Sequence, residues 1–235
     1  MFPTITQPTY TITLPMTKKE LKFRPYLVKE EKILLMGLES NDSKVYLDTV
    51  KQLIDACSIT KLNIEELPII DIEYFFLHLR AKSVGEIATP LHLCKNIFND
   101  KECNNLMKLE IDITKIQPTN IKTKEEMKIF LTGSVGVKMR YPTLNNINRK
   151  PIEDYLNVVV SCIEYVFDGD DIHYAKDNTK EDLLKFLESL SKPQFAKIAE
   201  FFDTLPIMKY ETDHKCSKCG YEHHIVMEGY ESFFV

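Results

Sequence analysis

Near the C-terminal end of the chain, in the stretch DHKCSKCGYEHHIVMEGYESFF, Cys216 and Cys219 are separated by two residues and followed by Gly220. Such a knuckle supplies two thiolates, whereas a tetrahedral metal site takes four ligands. A chain that uses it must bring two more donors to it from elsewhere, and that requirement narrows the possible topologies more than any other feature.

The remaining cysteines divide into two kinds. Cys57 and Cys162 lie in apolar helical patterns and read as small buried core residues. Cys94 and Cys103 precede the alternating run NNLMKLEIDI, much as Cys216 and Cys219 precede GYEHHIVMEG. Setting Cys103 on Cys219 places Leu109 with Ile225 and Ile111 with Met227. Each pair then reads as the turn of a β-hairpin, and two such hairpins facing each other make a zinc ribbon, in which each knuckle gives two thiolates to one tetrahedral ion. Here the ribbon would be split, its halves more than a hundred residues apart.

Eight residues separate Cys94 from Cys103, wider than the common ligand spacing of about 2 to 4. Three readings of the residues stay open: zinc on Cys94, Cys103, Cys216 and Cys219; a mixed site in which His92, His214 or His223 replaces one cysteine; and reduced, packed cysteines without metal. A thioredoxin-type Cys-x-x-Cys belongs at a helix N-terminus, but these flanks are β-like. A catalytic zinc keeps an open position beside about three protein ligands, and no His-Glu-x-x-His accompanies the cysteines. The metal expected is structural.

Around these hairpins the periodicity changes three times. The 235 residues divide into an extended arm over 1–16, rich in proline, and a helical block over 17–86. An antiparallel β region with the first cysteine hairpin follows over 87–145. A second helical block covers 146–206, and the C-terminal cysteine hairpin over 207–235 completes the β module. The fold class is α+β, with N- and C-terminal helical blocks around a small antiparallel module carrying the split ribbon. IEYFFLHLRAKSVGE is apolar all round and reads as a central helix, with Asp71 near its start and His78 in the core or facing a partner. PIEDYLNVVVSCIEYVF reads as one helix with Pro151 at its first position. Asp168, Asp170, Asp171 and Asp177 suggest calcium, but without a central glycine or a twelfth-position glutamate they read as a solvated loop between helices.

Composition excludes some classes of function. The formal net charge of −5 disfavours nucleic acid, whose binding by phosphate neutralisation calls for a basic surplus. No apolar run approaches the roughly 20 residues of a membrane span, and the first residues lack the order of a signal peptide, so folding in the cytoplasm is expected. Phosphate-binding loops, nucleophile elbows and dinucleotide fingerprints do not occur, and no enzyme is expected.

Four stretches carry a resemblance: LPIIDIEYFFLHLRAKSVGE (67–86), GVKMRYPT (136–143), IAEFFDTLP (198–206) and HKCSKCGYEHHIVMEGYESFF. From about Lys22 to Val235 the chain resembles the T4-type bacteriophage baseplate proteins, small hub or hub-assembly proteins. The resemblance implies a protein made in the infected host's cytoplasm, building the hub of a contractile tail through contacts with other tail proteins and possessing no catalytic site. The tail GYESFFV, with Tyr230, Phe233, Phe234 and Val235, suits such docking or packs on its own core. The rival from another class is a zinc-ribbon regulator that binds nucleic acid. It would need a basic face from Lys209, Lys215 and Lys218, which Glu211, Asp213, Glu222 and Glu228 offset.

Overall fold

The structure is a computed structural model and describes residues 5–40, 43–147, 153–229 and 232. Pro151, Tyr230, Phe233, Phe234 and Val235 lie outside the described residues. In chain order the first half contains β1 (Tyr10–Thr13), β2 (Glu20–Phe23), α1 (Val28–Glu39), α2 (Ser43–Cys57), α3 (Ile69–Ser83), β3 (Ile87–Ala88), β4 (Leu91–Leu93), β5 (Ile97–Phe98), β6 (Lys101–Glu102), β7 (Leu106–Lys108), β8 (Ile111–Asp112) and β9 (Pro118–Thr119). The second half contains β10 (Lys128–Thr132), β11 (Val135–Met139), α4 (Leu144–Ile147), α5 (Glu153–Ser161), β12 (Ile163–Asp168), β13 (Asp171–Tyr174), α6 (Lys180–Glu188), α7 (Lys192–Asp203), β14 (Ile207–Lys215) and β15 (Glu222–Glu228). The class is α+β with small antiparallel sheets. No helix among the described residues is long and apolar enough to cross a membrane.

The chain forms two compact units that alternate in sequence. The first comprises Met1–Leu62, Ile70–Thr119 and Ile207–Val235; the second comprises Asn63–Ile69 and Asn120–Pro206. In the first unit α3 is central, as its all-round apolar sequence requires: Ile70, Asp71, Ile72 and every residue from Phe75 to Ala81 are buried. Phe75 meets Phe23 of β2 edge to face, ring centroids 5.2 Å apart. Ile70, Leu77 and Ala81, spaced to share a helical face, join the core that includes Met107, Leu109, Ile111, Met208 and Ile225. Full burial stabilises each Leu, Ile or Phe by about 1.5–3 kcal/mol, so α3 is fixed by packing on several sides. His78 satisfies its Nδ1 on the Tyr74 carbonyl at 3.0 Å, and burial lowers its pKa below the usual histidine range. It is a core histidine.

Two long hairpins complete the first unit. In the first, Ile87 faces Asp112, Leu91 faces Lys108 and Leu93 faces Leu106. This is one register, carried past the break between β3 and β4 by a bond from Leu109 N–H to Pro90 O. In the second, β14 and β15 pair from Lys209 with Glu228 to Lys215 with Glu222, and β9 adds to the base of β14. The N-terminal segment is more ordered than an extended arm: β1 pairs with β2 as a hairpin within a stretch expected to open the helical block.

The second unit is built on the antiparallel sheet β10-β11-β12-β13 with α4 to α7. It corrects the expected helix from Pro151 through Phe167. That helix ends at Ser161, and Ile163–Asp168 is β12, paired with β11. Ile163, Tyr165, Val166 and Phe167 are β-branched or aromatic, and pairing with β11 overrides the apparent helical continuation. The acidic stretch beyond is likewise not a loop between helices, because Gly169 (φ 57°) makes the turn into β13.

Gly136 of β11 sits in one row with Phe130 and Phe167, whose rings meet edge to face 5.2 Å apart. A Cβ at this position would lie 2.3 Å from Phe167 Cζ and 2.5 Å from the Ile129 carbonyl oxygen. The ring could rotate away, but the carbonyl belongs to the paired strand. Gly136→Ala is therefore expected to destabilise the protein by about 1–3 kcal/mol, read as a lower urea midpoint at unchanged slope; an unchanged midpoint would show that the sheet opens freely here.

Candidate metal centre

The two hairpins end in the same backbone motif. At the second tip Cys216 N–H donates to Tyr221 O at 2.8 Å and Gly220 N–H to Cys216 O at 2.9 Å. Gly220 holds φ +73°, a left-handed conformation that glycine adopts without penalty. At the first tip Cys94 N–H donates to Asn105 O at 2.9 Å and Asn104 N–H to Cys94 O at 3.0 Å. Asn104, with φ 49°, stands where the second tip has glycine; asparagine is one of the few other residues that visit this region. Cys94 thus matches Cys216, and Cys103 matches Cys219.

The wide spacing of the first pair is an insertion within an ordinary knuckle. Ile97 pairs with Glu102 and Phe98 with Lys101 around Asn99 and Asp100, both at positive φ (51° and 58°), as a tight two-residue hairpin turn of type I′ demands. Cys103 N–H closes the neck on Asn96 O at 2.8 Å. Lys95 and Asn96 take the places of Ser217 and Lys218, and a small hairpin grows out before the second cysteine.

The tips bring all four cysteines together. Their Sγ atoms lie within 4.8 Å of one another, with Cys94 to Cys219 at 3.6 Å and Cys103 to Cys216 at 3.8 Å. All four are free thiols. A tetrahedral ion with metal–sulfur bonds of about 2.3 Å needs sulfurs about 3.8 Å apart, so the set fits such an ion; four thiolates in a tetrahedron suit zinc or iron. Among the described residues no other group of three or more acidic, histidine or cysteine side chains converges in this way.

Donors cross between the hairpins. Asn105 Nδ2 donates to Cys216 Sγ at 3.4 Å and Asn96 Nδ2 to Cys219 Sγ at 3.7 Å. From the other side His223 Nε2 lies 3.1 Å from Cys94 Sγ, and Lys218 Nζ donates to Cys103 O at 2.7 Å. Backbone N–H groups of Cys219 and Lys218, with Asn105, bring the Cys216 thiol down to about 6. The N–H of Tyr221 heads the interactions that lower Cys219. Burial instead pushes Cys94 up to about 12 and raises Cys103. In each facing pair a thiol of the first hairpin, raised by burial, meets one of the second that backbone N–H groups make more acidic.

Of the three histidines weighed as alternative ligands, His223 is the one with a nitrogen against a sulfur. His223 packs edge to face on His92, with ring centroids 5.4 Å apart, and lies opposite His214 across the strands. The lysines along the second hairpin are engaged: Lys209 at its base pairs with Glu211 and Glu228, and Lys215 next to the tip with Glu222. The supporting asparagines and the inserted hairpin escaped the sequence reading, although Asn99-Asp100 between two short apolar and charged pairs carries a turn signal.

The sequence profile of the family described as T4 bacteriophage base plate protein matches residues 7–235. The chain belongs to that family. A relative within reach of direct comparison is the baseplate hub assembly protein gp26 of Enterobacteria phage T4, 23% identical over 225 residues, which cover 96% of this chain and 97% of the relative. No solved structure matches. Family membership thus runs through both cysteine hairpins and both compact units, and extends the resemblance read from about Lys22 to nearly the whole chain.

Proposed function

We propose that this baseplate-family chain is a non-enzymatic hub subunit or hub-assembly factor. It works by contacts with other tail proteins in the host cytoplasm, and one structural zinc joins its two hairpins as a split zinc ribbon. The observation that carries the metal reading is the convergence of four sulfurs from hairpin tips more than a hundred residues apart. Cys94, Cys103, Cys216 and Cys219 would hold the ion, which supplies a crosslink and therefore folding energy. The hub reading is supported by the relative of matching length whose name is baseplate hub assembly protein. The lysines paired with glutamates along the second hairpin argue against the basic face that the nucleic-acid reading needs.

The test is native mass spectrometry of the chain, alone and co-expressed with the other hub proteins of its phage. One zinc per chain and a stable complex with a hub protein are expected. A metal-free folded chain would overturn the zinc, and a chain that binds DNA but no hub protein would overturn the function.

Zinc loading should also be linked to pH. Cys216 and Cys219 are held below the ordinary thiol range, whereas Cys94 and Cys103 are held above it. Near neutrality the ion therefore displaces at least the protons of Cys94 and Cys103, and its apparent affinity should fall at least about a hundredfold for each pH unit lowered. Below the Cys216 value of about 6 a further thiolate takes up a proton and the fall steepens. Competition with a chromophoric chelator at several pH values measures this; a flat profile would mean that the ligands are not these thiols.

A further inference from the structure

We infer that His223 is an exchange ligand of this centre, able to take the coordination position of Cys94 so that the ion can pass between a four-sulfur and a three-sulfur, one-nitrogen site. The inference rests on the proposed metal reading and adds a second coordination state to it. Three observations converge on Cys94. Its sulfur is the one approached by an imidazole nitrogen, His223 Nε2 at 3.1 Å, an atom that ligates zinc as readily as a thiolate does. The neighbouring sulfur, Cys219, is the one member of the set that is not fully buried. An open groove of about 600 Å³ is lined by His92, Asn96, Tyr221 and His223, so the imidazole that touches Cys94 is itself open to solvent.

The other sulfurs are supported differently. Cys216 and Cys219 receive asparagine amides, which orient a thiolate but are poor ligands for a soft-site metal. The contrast is built into the pairing of the hairpins. In the alignment that sets Cys103 on Cys219, the counterpart of His223 is Met107, a buried core residue; the exchange device exists on one side of the pseudo-symmetric centre.

The step balances without an outside reactant other than water. The metal–Sγ bond to Cys94 breaks and a metal–Nε2 bond to His223 forms. The Nε2 proton passes to the departing sulfur along the hydrogen bond already present, leaving a neutral thiol, and solvent supplies a proton to Nδ1. No electron moves.

Cobalt(II) is the probe, because its absorption separates four-sulfur from three-sulfur, one-nitrogen coordination, and native mass spectrometry counts the ions. The wild-type chain should bind one ion with a four-sulfur spectrum. Cys94→Ala should keep one ion with a mixed spectrum, Cys94→Ala/His223→Leu should lose it, and Cys103→Ala, which has no imidazole beside it, should lose it too. In the chain with all four cysteines, His223→Leu should slow zinc transfer to a chelator several-fold. An ion lost from Cys94→Ala, or kept equally by the double variant, overturns the inference. So does an unchanged or faster transfer from His223→Leu, the result expected if the ring only hydrogen-bonds to sulfur. A wild-type chain that binds no cobalt or zinc would instead defeat the metal reading itself.

Discussion

Replacing Cys94 and Cys103 together by serine is expected to abolish metal binding and to unfold the paired hairpins of the first unit. The exchange leaves volume and packing nearly unchanged, so what it removes is two of the four sulfurs that meet within 4.8 Å. The two remaining sulfurs, even with the His223 imidazole added, are too few to enclose a tetrahedral ion against solvent. A structural zinc contributes on the order of 10 kcal/mol or more in small metallo-domains, against a net stability of about 5–15 kcal/mol for a whole domain, so the effect should exceed that of any single side chain in the core. Much of it arises from topology. The sulfur pairs join residues 125 and 113 positions apart in the chain, and without the ion the closure of those loops rests on a few crossing hydrogen bonds and the shared core. Native mass spectrometry should show one zinc in the wild type and none in the variant. Amide exchange should accelerate along β4, β7, β14 and β15, and a chelator applied to the wild type should reproduce both changes. A variant that keeps its zinc, or loses it with no change in exchange, would mean that the hairpins are held by packing alone.

The parts of this arrangement that were legible in the sequence are those fixed by local pattern or by equal spacing. The central helix α3 could be read because residues Tyr74 to Leu79 leave no polar face. The matching of Cys103 with Cys219 could be read because the apolar alternation after each cysteine has the same phase, and Leu109 and Ile225 are indeed both buried. The features not read depend on contacts across long separations. Strand β12 has a sequence that continues a helical pattern, and only β11, more than twenty residues earlier, makes it a strand. Asn96 and Asn105 look like ordinary surface residues until the opposite hairpin places a sulfur beside each, and His223, one of three histidines weighed as ligands, is singled out only by its approach to Cys94. The eight-residue gap between Cys94 and Cys103 reads in the sequence only as a spacing wider than usual. Its physical cause is more specific, since a positive-φ pair at Asn99 and Asp100 lets the chain leave the knuckle and return to it without disturbing the cysteines.

Asp71 shows the same limit and gives the second large expected effect. From sequence it is a helix-terminal acid, and it does lie in the first turn of α3. Its carboxylate, however, is fully buried and accepts the backbone N–H groups of Met16 at 2.7 Å and Thr17 at 2.9 Å. These two amides form the connection between β1 and β2, four-residue strands that would be marginal as an isolated hairpin. Asp71 thereby anchors the N-terminal hairpin to the central helix. Asp71→Ala leaves two half-buried donors without an acceptor; an unsatisfied donor costs about 1–3 kcal/mol when fully buried, so a loss of roughly 1–4 kcal/mol is expected for the pair. Asp71→Asn keeps one acceptor but turns an amide donor toward an N–H group, and should recover only part of that loss. The denaturant midpoint gives the magnitude, and amide exchange at Met16 and Thr17 locates it, since those two positions should lose protection in both variants. Protection that survives in Asp71→Ala would show that the turn is held by its own bonds, Leu14 N–H to Lys19 O and Lys18 N–H to Leu14 O, and that the buried carboxylate serves another end.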